Sequence, residues 1–598
     1  MIITKLVYIF LPLIILNFIF IPGIIILENF KIKLNFFSII VFSFILSLFS
    51  NYIYVFTIVY FNNYIFLLAW IYQFLILIIF FYKFKNISNY ILYSYKDLVL
   101  FLNNNLKKKV KIFVVSLFLT IIFFSFYLQN LYNEINHSVF GYLRIFEMQD
   151  VVQNYDLWSK EYARGVIPET SYLRPHFLQV NFALIYILLK SVYYEFLPLL
   201  ILSFFSLIFI FIGFSIGIIK NNLFIFPLSI FAANILFENT FGQAFSGYLE
   251  VPMSLMMMTL MLSIYEFKKS GDIKFLIIIF VAYVVTFLTK EWTWLILSII
   301  TFYFLFFKKF FSHTINVKYK FLFLISFLLI ISPFYIFQFS NFDILNNLQF
   351  LFKQLTFDKN FHISAGHDLS ILETKSRILY AFKIFPDLLV LPLIFTFIYN
   401  YKDSVLNLFL FGFILQIGFW AYFSPQEFRY LYFTYFFFIF FGSINIVNIF
   451  FKFFNFFTSK FNKIGFFIFF LFLWIFSIFL YNKTLNKNQI EHKIFEKKVT
   501  LNFDKKIDKN INNYFYNYFK NNTNNSTQIL TNYRIFYVKN IPIFEDNFKY
   551  NNNLSNENYK LFDNQFYLFY RNCNNKIKNN TFVIKSFSED SCFVKRQN

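Results

Sequence analysis

The chain has 598 residues, of which 59% are hydrophobic and only 14% charged, with a formal net charge of +22. So few charges exclude an ordinary soluble domain, in which roughly a quarter of residues are charged, and describe a polytopic membrane protein. A positive surplus can mark nucleic-acid binding, but here the lysines sit mainly in short connections between apolar runs, where they set membrane orientation, so no nucleic-acid partner is expected.

The 102 Phe and 42 Tyr, beside abundant Ile, Asn and Lys, are a bias towards AT-rich codons. An aromatic stripe or an Asn run therefore carries little information by itself. A spanning helix needs about 20 apolar residues. Runs that meet or nearly meet that length lie at 6–27, 35–60, 64–83, 112–130, 195–219, 222–238, 250–267, 273–289, 292–307, 320–338, 384–400, 404–424, 429–450 and 464–481. They predict an all-α polytopic membrane protein of about 14 transmembrane helices. No small-residue cleavage site follows the first run, which reads as a retained helix. The stretch 177–192 is apolar but short.

Orientation follows from lysine. The segment 83–111 holds Lys83, Lys85, Lys96, Lys107, Lys108, Lys109 and Lys111 against Asp97, which predicts a cytoplasmic loop. The loop 131–175 is then external. Lys268 with Lys269, Lys308 with Lys309, Lys318 with Lys320, and Lys452 with Lys460 and Lys463 fall inside if 177–192 is a membrane-surface or re-entrant helix. The same alternation puts Gly247–Glu250, Lys290–Glu291, residues 339–383, Gln426–Arg429 and the tail outside. Three parts follow: N-terminal helices and a cytoplasmic loop (1–111), a transmembrane core (112–481), and a soluble external tail (482–598). In the tail, "QILTNYRIFYVKN" and "TFVIKSF" read as strands of a small α/β unit. Cys573 and Cys592 are expected to pair in an external domain, with two free thiols as the alternative.

The polar groups that lysine orientation leaves unexplained gather on the external face, where ionisable residues beside apolar helices point to function. Asp150, with Glu147 and Asp156 near it in sequence, can act as a general base or hold a divalent metal through oxygen; a solvated loop acid is the plainer alternative. Arg164, Arg174 and His176 offer cationic and hydrogen-bonding groups suited to a phosphate or to lipid headgroups. "SGYLEVP" sets Glu250 at the start of a helix after Gly247 and Tyr248, where a carboxylate is favoured by the helix N-terminus. "FLTKEWTW" puts Lys290 and Glu291 in an interfacial turn, where they can neutralise each other, with Trp292 and Trp294 as belt residues. "SPQEFRYLYF" brings Arg429 to the boundary beside Glu427. The long loop 339–383 suits a lid; its His362 and His367, five apart and accompanied by Asp358 and Asp368, do not have helical metal-ligand spacing.

These segments, in this order, resemble the GT-C superfamily of membrane glycosyltransferases, in particular the protein O-mannosyltransferase and lipid A 4-amino-arabinose transferase group. The external-loop pattern stands here as Asp150, Tyr155, Trp158, Ala163, Gly165 and Pro168, then Tyr172 and Pro175. A "GYADLP"-like element stands as Gly247 to Pro252, an "LTKEEG"-like turn as Leu288 to Trp292, and a "PRYLLP"-like element as Phe428 to Leu431. The resemblance covers about 112–450 and departs in three places: Glu250 for Asp, Trp292 for an acid, which weakens a metal site at that turn, and Phe428 for Pro. It implies a sugar donor on polyprenyl phosphate and a glycan, lipid or protein acceptor. It implies Asp150 as base, Arg429, Lys290 and Arg174 on the leaving phosphate, and Glu250 placing a substrate or a metal. It also implies inversion at the anomeric carbon, with Tyr155 and Trp158 seating the loop at the bilayer surface. No cofactor is assigned, and a divalent metal stays open. The location implied is the inner cell membrane, with the site on the periplasmic face. The competing readings are a transporter or flippase of lipid-linked sugars, an O-antigen ligase or polymerase, and a non-catalytic assembly or sensor protein.

Overall fold

The structure is a computed structural model. It describes residues 17–61, 64–108, 110–138, 155–168, 175–189, 196–238, 249–307, 309–311, 313–341 and 403–423, together with 511, 514–515, 529–531, 548–550, 565–569, 573, 581–588 and 591–596 of the tail. The described part is mainly helical. The runs predicted at 384–400, 429–450 and 464–481 lie outside the described residues.

The helices are α1 (Ile21–Phe30), α2 (Phe36–Tyr60), α3 (Ile65–Lys108), α4 (Val110–Ser138), α5 (Leu157–Ala163), α6 (Phe177–Leu189), α7 (Phe196–Ile219), α8 (Ile225–Glu238), α9 (Glu250–Ser270), α10 (Phe275–Thr289), α11 (Trp294–Phe306), α12 (Val317–Asn341) and α13 (Ser404–Phe423). Six of the described helices are long and apolar enough to cross a membrane: α2, α3, α4, α7, α12 and α13. The predicted loop at 83–111 is a correction. α3 continues unbroken to Lys108, because 84–108 carries neither Gly nor Pro to stop it and keeps an apolar face at helical spacing.

Burial separates an inner from an outer layer. α2 and α7 are buried over most of their length, and α9 is buried from Glu250 to Phe267, including five methionines. α3, α4 and α12 turn Leu67, Phe74, Ile78, Leu117, Ile121, Leu328 and Leu329 outward. In water these would form an apolar patch far larger than a soluble monomer shows; against lipid tails they are the natural surface. α1 lies on α2 so closely that a Cβ on Gly23 would stand 1.9 Å from the Ser43 carbonyl oxygen, and the Gly23 amide donates to Ser47 Oγ at 2.8 Å.

The lysine-bearing turns share one end of the bundle. There Lys220 pairs with Asp403, Tyr265 donates to Asp403 at 2.8 Å, and Lys268 donates to Ser404 at 3.0 Å. Burial raises the Asp403 carboxyl, but the Lys220 charge and the bonds from Lys220, Tyr265 and the Leu406 amide together hold it below its usual range. At the same end Asn35 caps α2, and Glu266 accepts from Ser38 Oγ at 2.6 Å and Asn35 Nδ2 at 2.8 Å. α4 leaves this end, where Ser116 donates to the Leu223 carbonyl at 2.7 Å, and α7 returns to it at Lys220. α6 therefore makes no net crossing between them. It is 13 residues long and buried from Phe177 to Leu188.

The tail holds a five-stranded mixed sheet. Its strands, after the short hairpin β1 (Lys309–Phe310) and β2 (His313–Thr314), are β3 (Ile529–Thr531), β4 (Phe548–Tyr550), β5 (Phe566–Phe569), β6 (Thr581–Ser588) and β7 (Ser591–Arg596). Their order is β4-β3-β5-β7-β6. β3 is parallel to β4 and β5, while β7 is antiparallel to β5 and β6. "TFVIKSF" forms most of β6, and only the start of "QILTNYRIFYVKN" falls on described residues, as β3. Cys573 and Cys592 form a disulfide, buried with Tyr567, Phe569 and Val594.

Candidate active site at one end of the helical bundle

Opposite the lysine-bearing turns lie residues 155–168 and 175–176, the start of α9, the α10–α11 junction and the end of α12. The α10–α11 junction exists because Lys290 is extended (φ −164°, ψ 143°) and a single 3-10 turn, Glu291–Thr293, follows it. Thr293 Oγ1 locks the turn onto the Lys290 and Thr286 carbonyls at 2.9 and 3.0 Å. Trp294 donates to the Phe287 carbonyl at 3.1 Å and stacks on that ring. This geometry sends Lys290 inward to Glu250, Nζ to Oε1 2.5 Å, across forty residues. Both residues are buried, at 2% and 1% exposure. Glu250 opens the first turn of α9, where no side chain caps the helix and the N-terminal dipole favours its charge. Its second oxygen, Oε2, has no hydrogen-bond partner.

The segment 155–168 is built around α5. Asp156 is buried, paired to Lys160 at 2.9 Å and accepting from Tyr186 at 2.8 Å. Proximity in sequence to Asp150 makes it a candidate base; its burial with two partners makes it a structural anchor. α5 ends at Ala163, and the chain turns away two residues later at Gly165, whose φ of 83° favours glycine. Arg164, just before it, is exposed. Its charge lies near Glu161, whose carboxyl is raised by burial and partly lowered again by Arg164. Gln338 of α12 donates to the Pro168 carbonyl at 2.8 Å and holds the end of this segment to the bundle.

Two expectations are corrected. His176 is not a cation above the bilayer: it is fully buried, and burial pushes its pKa down to about 3, so it is neutral. Tyr155 and Trp158 do not seat a loop at the membrane surface. Each is 5% exposed, and Trp158 packs on the His176 ring at 4.3 Å. Apolar burial outweighs interfacial placement here because α6 brings His176, Phe177 and their neighbours directly beneath α5. His176 Nδ1 lies 3.1 Å from Tyr162 Oη, and Nε2 has no partner. One turn along α6, both amide atoms of Gln179 are unpaired, as is Asn181 Oδ1.

The two halves meet at Tyr52 and α12. Tyr52 packs on Phe177 at 5.5 Å, and Phe334 packs on His176 at 5.1 Å. Tyr52 lies near both Tyr162 and Tyr335, and Tyr335 lies near Glu291. Of the sequence-predicted site residues, Glu250 and Lys290 are brought into contact, Glu291 and His176 share this end, and Arg164 lies at its exposed rim. Asp150, Arg174, Tyr248 and Arg429 lie outside the described residues, as do Glu147, Glu427 and the histidines of 339–383. Tyr162, Gln179, Asn181, Tyr186 and Gln338 escaped sequence reasoning. Single Gln, Asn or Tyr residues in an Asn- and Tyr-rich chain give no signal, although Gln179 and Asn181 stand out as polar breaks in an otherwise apolar helix.

Buried polar atoms without partners are uncommon and need a water, an ion or a ligand. Glu250 Oε2 can accept from a hydroxyl, His176 Nε2 can donate once Nδ1 accepts from Tyr162, and Gln179 can do both. No group of three or more His, Cys, Asp or Glu gathers as a metal site among the described residues. No protein-family model, curated protein or solved structure matches this chain.

Proposed function

We propose that this chain is an integral-membrane glycosyltransferase of GT-C type, with about 14 transmembrane helices, that moves a sugar from a polyprenyl-phosphate donor to a cell-envelope acceptor. The observation that carries the reading is the buried Lys290–Glu250 pair. It joins two separate motifs of the resemblance at the end of the bundle away from the lysine-bearing turns. In the proposed reaction the acceptor hydroxyl oxygen attacks the anomeric carbon and the bond from that carbon to the phosphate oxygen breaks. The hydroxyl proton passes to a carboxylate, assigned to Asp150. Fixed cations, Lys290 with Arg174 and Arg429, take up the charge that develops on the phosphate. Glu250 holds Lys290 in place and offers Oε2 to a substrate hydroxyl. The disulfide of the tail supports an oxidising, external location for that domain, and so the inner cell membrane with its active site on the periplasmic face.

A second reading, transport of a lipid-linked glycan, is favoured by one observation. α6 is a short buried helix carrying Gln179, with both amide atoms unpaired, and the unpaired Asn181 Oδ1 in the bundle interior, and transporters place such short helices along a substrate path. One assay separates the two. Purified protein in lipid is given a panel of polyprenyl-phosphate sugars and acceptors, and free polyprenyl phosphate is followed. Release by wild type and loss of release in Asp150→Asn and Glu250→Gln supports transfer. Folded wild type that releases none from any donor, yet moves the donor across the bilayer, replaces transfer with transport.

A further inference from the structure

α3 is 44 residues long, about 66 Å at 1.5 Å per residue, against a hydrocarbon core of about 30 Å. Its first half runs along α1 and α2: Tyr54 donates to the Leu68 carbonyl at 2.6 Å, and Lys83 pairs with Glu28 at 2.9 Å. Its second half does something else. Tyr90 donates to the Ile32 carbonyl at 2.6 Å, Ser94 to the Leu34 carbonyl at 3.0 Å, and Asn105 to Asn221 Oδ1 at 3.3 Å. Ile32 and Leu34 lie in the α1–α2 turn, and Asn221 lies in the α7–α8 turn. Residues 90–105 therefore bridge two turns at the lysine-bearing end of the bundle.

The inward face of this half is Ile87, Ser94 and Asn105, all buried. The outward face carries Lys85, Lys96 and Lys107, all exposed. They recur every eleven residues, about three turns, and so form a single ridge. Flanking the ridge are exposed apolar side chains, with Leu92 at 49%, Tyr93 at 55% and Leu100 at 58% exposure. Asp97 is the only exposed acid on 84–108. A ridge of lysine between leucine and tyrosine matches the boundary between anionic headgroups and acyl chains. Lysine stems lie along apolar surface with their ammonium groups in the phosphate layer.

We propose that residues 84–108 form an interfacial helix that docks its Lys85–Lys96–Lys107 ridge on the anionic headgroups of the leaflet at the lysine-bearing end of the bundle. Charge complementarity selects the occupant, and continuity with the lipid-facing first half of α3 places the helix at the right depth. A nucleic acid would leave Leu92 and Leu100 without a partner. A soluble protein on this face is the outcome that would replace the proposal.

The test uses the full chain in lipid nanodiscs. Both native cysteines are in the disulfide, so Leu92→Cys or Leu100→Cys supplies a unique site for a spin label. In discs containing phosphatidylglycerol, both labels are expected to be more accessible to oxygen than to a water-soluble nickel chelate. The triple variant Lys85→Gln, Lys96→Gln, Lys107→Gln is expected to lower the enrichment of phosphatidylglycerol over phosphatidylcholine around the protein by about 10-fold or more. Labels that report water at both positions in anionic discs would overturn the interfacial placement. Unchanged lipid enrichment in the triple variant, with the labels still lipid-exposed, would overturn the anionic docking.

Discussion

Lys290 and Glu250 are forty residues apart in sequence and joined at 2.5 Å in the interior, where neither side chain meets solvent. Each sets an opposite charge beside the other in a site closed to water. Removing one partner of a buried pair strands the other and typically costs 3–5 kcal/mol, whereas replacing both with apolar groups of similar size is often neutral.

That asymmetry separates a structural from a catalytic role. Glu250→Leu and Lys290→Met are each expected to lower stability by about 3 kcal/mol or more. The double variant is expected to recover most of that loss while remaining inactive in the donor-release assay. Thermal unfolding in detergent checks the first expectation and product release the second. A double variant that regains both stability and activity makes the pair a scaffold element and moves the chemistry elsewhere.

His176 makes a pH prediction whose sign can be worked out. Its pKa falls to about 3 in the folded protein against about 6.5 when unfolded, so between those values the unfolded chain binds the extra proton. Stability from this residue is full above about pH 6.5 and is lost as pH falls towards 3, by about 2 kcal/mol at pH 5. Glu161, raised by burial, works in the opposite sense, and Tyr162 stays protonated throughout. Comparing wild type with His176→Asn, which keeps an acceptor near Tyr162, isolates the histidine. The variant is expected to lose less melting temperature between pH 7 and pH 5 than wild type. Parallel losses would show that His176 does not titrate out of its buried state over that range.

The helices were legible because apolar length alone identifies a span: α2, α7 and α13 match their runs to within a residue or two. The loop that lysine density suggests at 83–111 is helix instead, for a related reason. Lysine density marks orientation, but it does not break a helix, and Lys85, Lys96 and Lys107 sit comfortably on one exposed face. Within the site, the Glu250 and Lys290 motifs were visible as charges at helix ends, while their contact was not, since nothing local encodes a pairing across forty residues. His176 shows the limit most clearly. A histidine after Arg-Pro at a helix start looks exposed in sequence, and only the packing of Trp158, Tyr162 and Phe334 around it makes it a neutral core residue.

The Cys573–Cys592 disulfide closes a segment of 19 residues, for which chain entropy predicts about 3 kcal/mol of stabilisation. Cys592→Ser is expected to make the tail sensitive to limited proteolysis while the helical bundle keeps its melting temperature. In intact cells a maleimide that cannot cross the membrane is expected to label the tail only after reduction. Labelling without reductant would show free thiols, and no labelling even after reduction and unfolding would place the tail on the inner side.

Gly23 tests the packing that seats α1 on α2. A Cβ there would stand 1.9 Å from the Ser43 carbonyl oxygen and within 2.7 Å of the Ser43 Cα, so the obstruction is backbone and cannot rotate away. An ordinary exposed helix interior gains about 1 kcal/mol from Gly→Ala. Here the sign reverses. Gly23→Ala is expected to separate the helices, break the Gly23–Ser47 hydrogen bond and destabilise the protein by at least about 2 kcal/mol, the range of overpacked cores. Ser47→Ala, which removes the hydrogen bond and leaves the space unchanged, is expected to cost only about 1 kcal/mol. Thermal unfolding of both variants measures the difference. A Gly23→Ala protein as stable as wild type would mean that α1 does not lie against α2 at this distance.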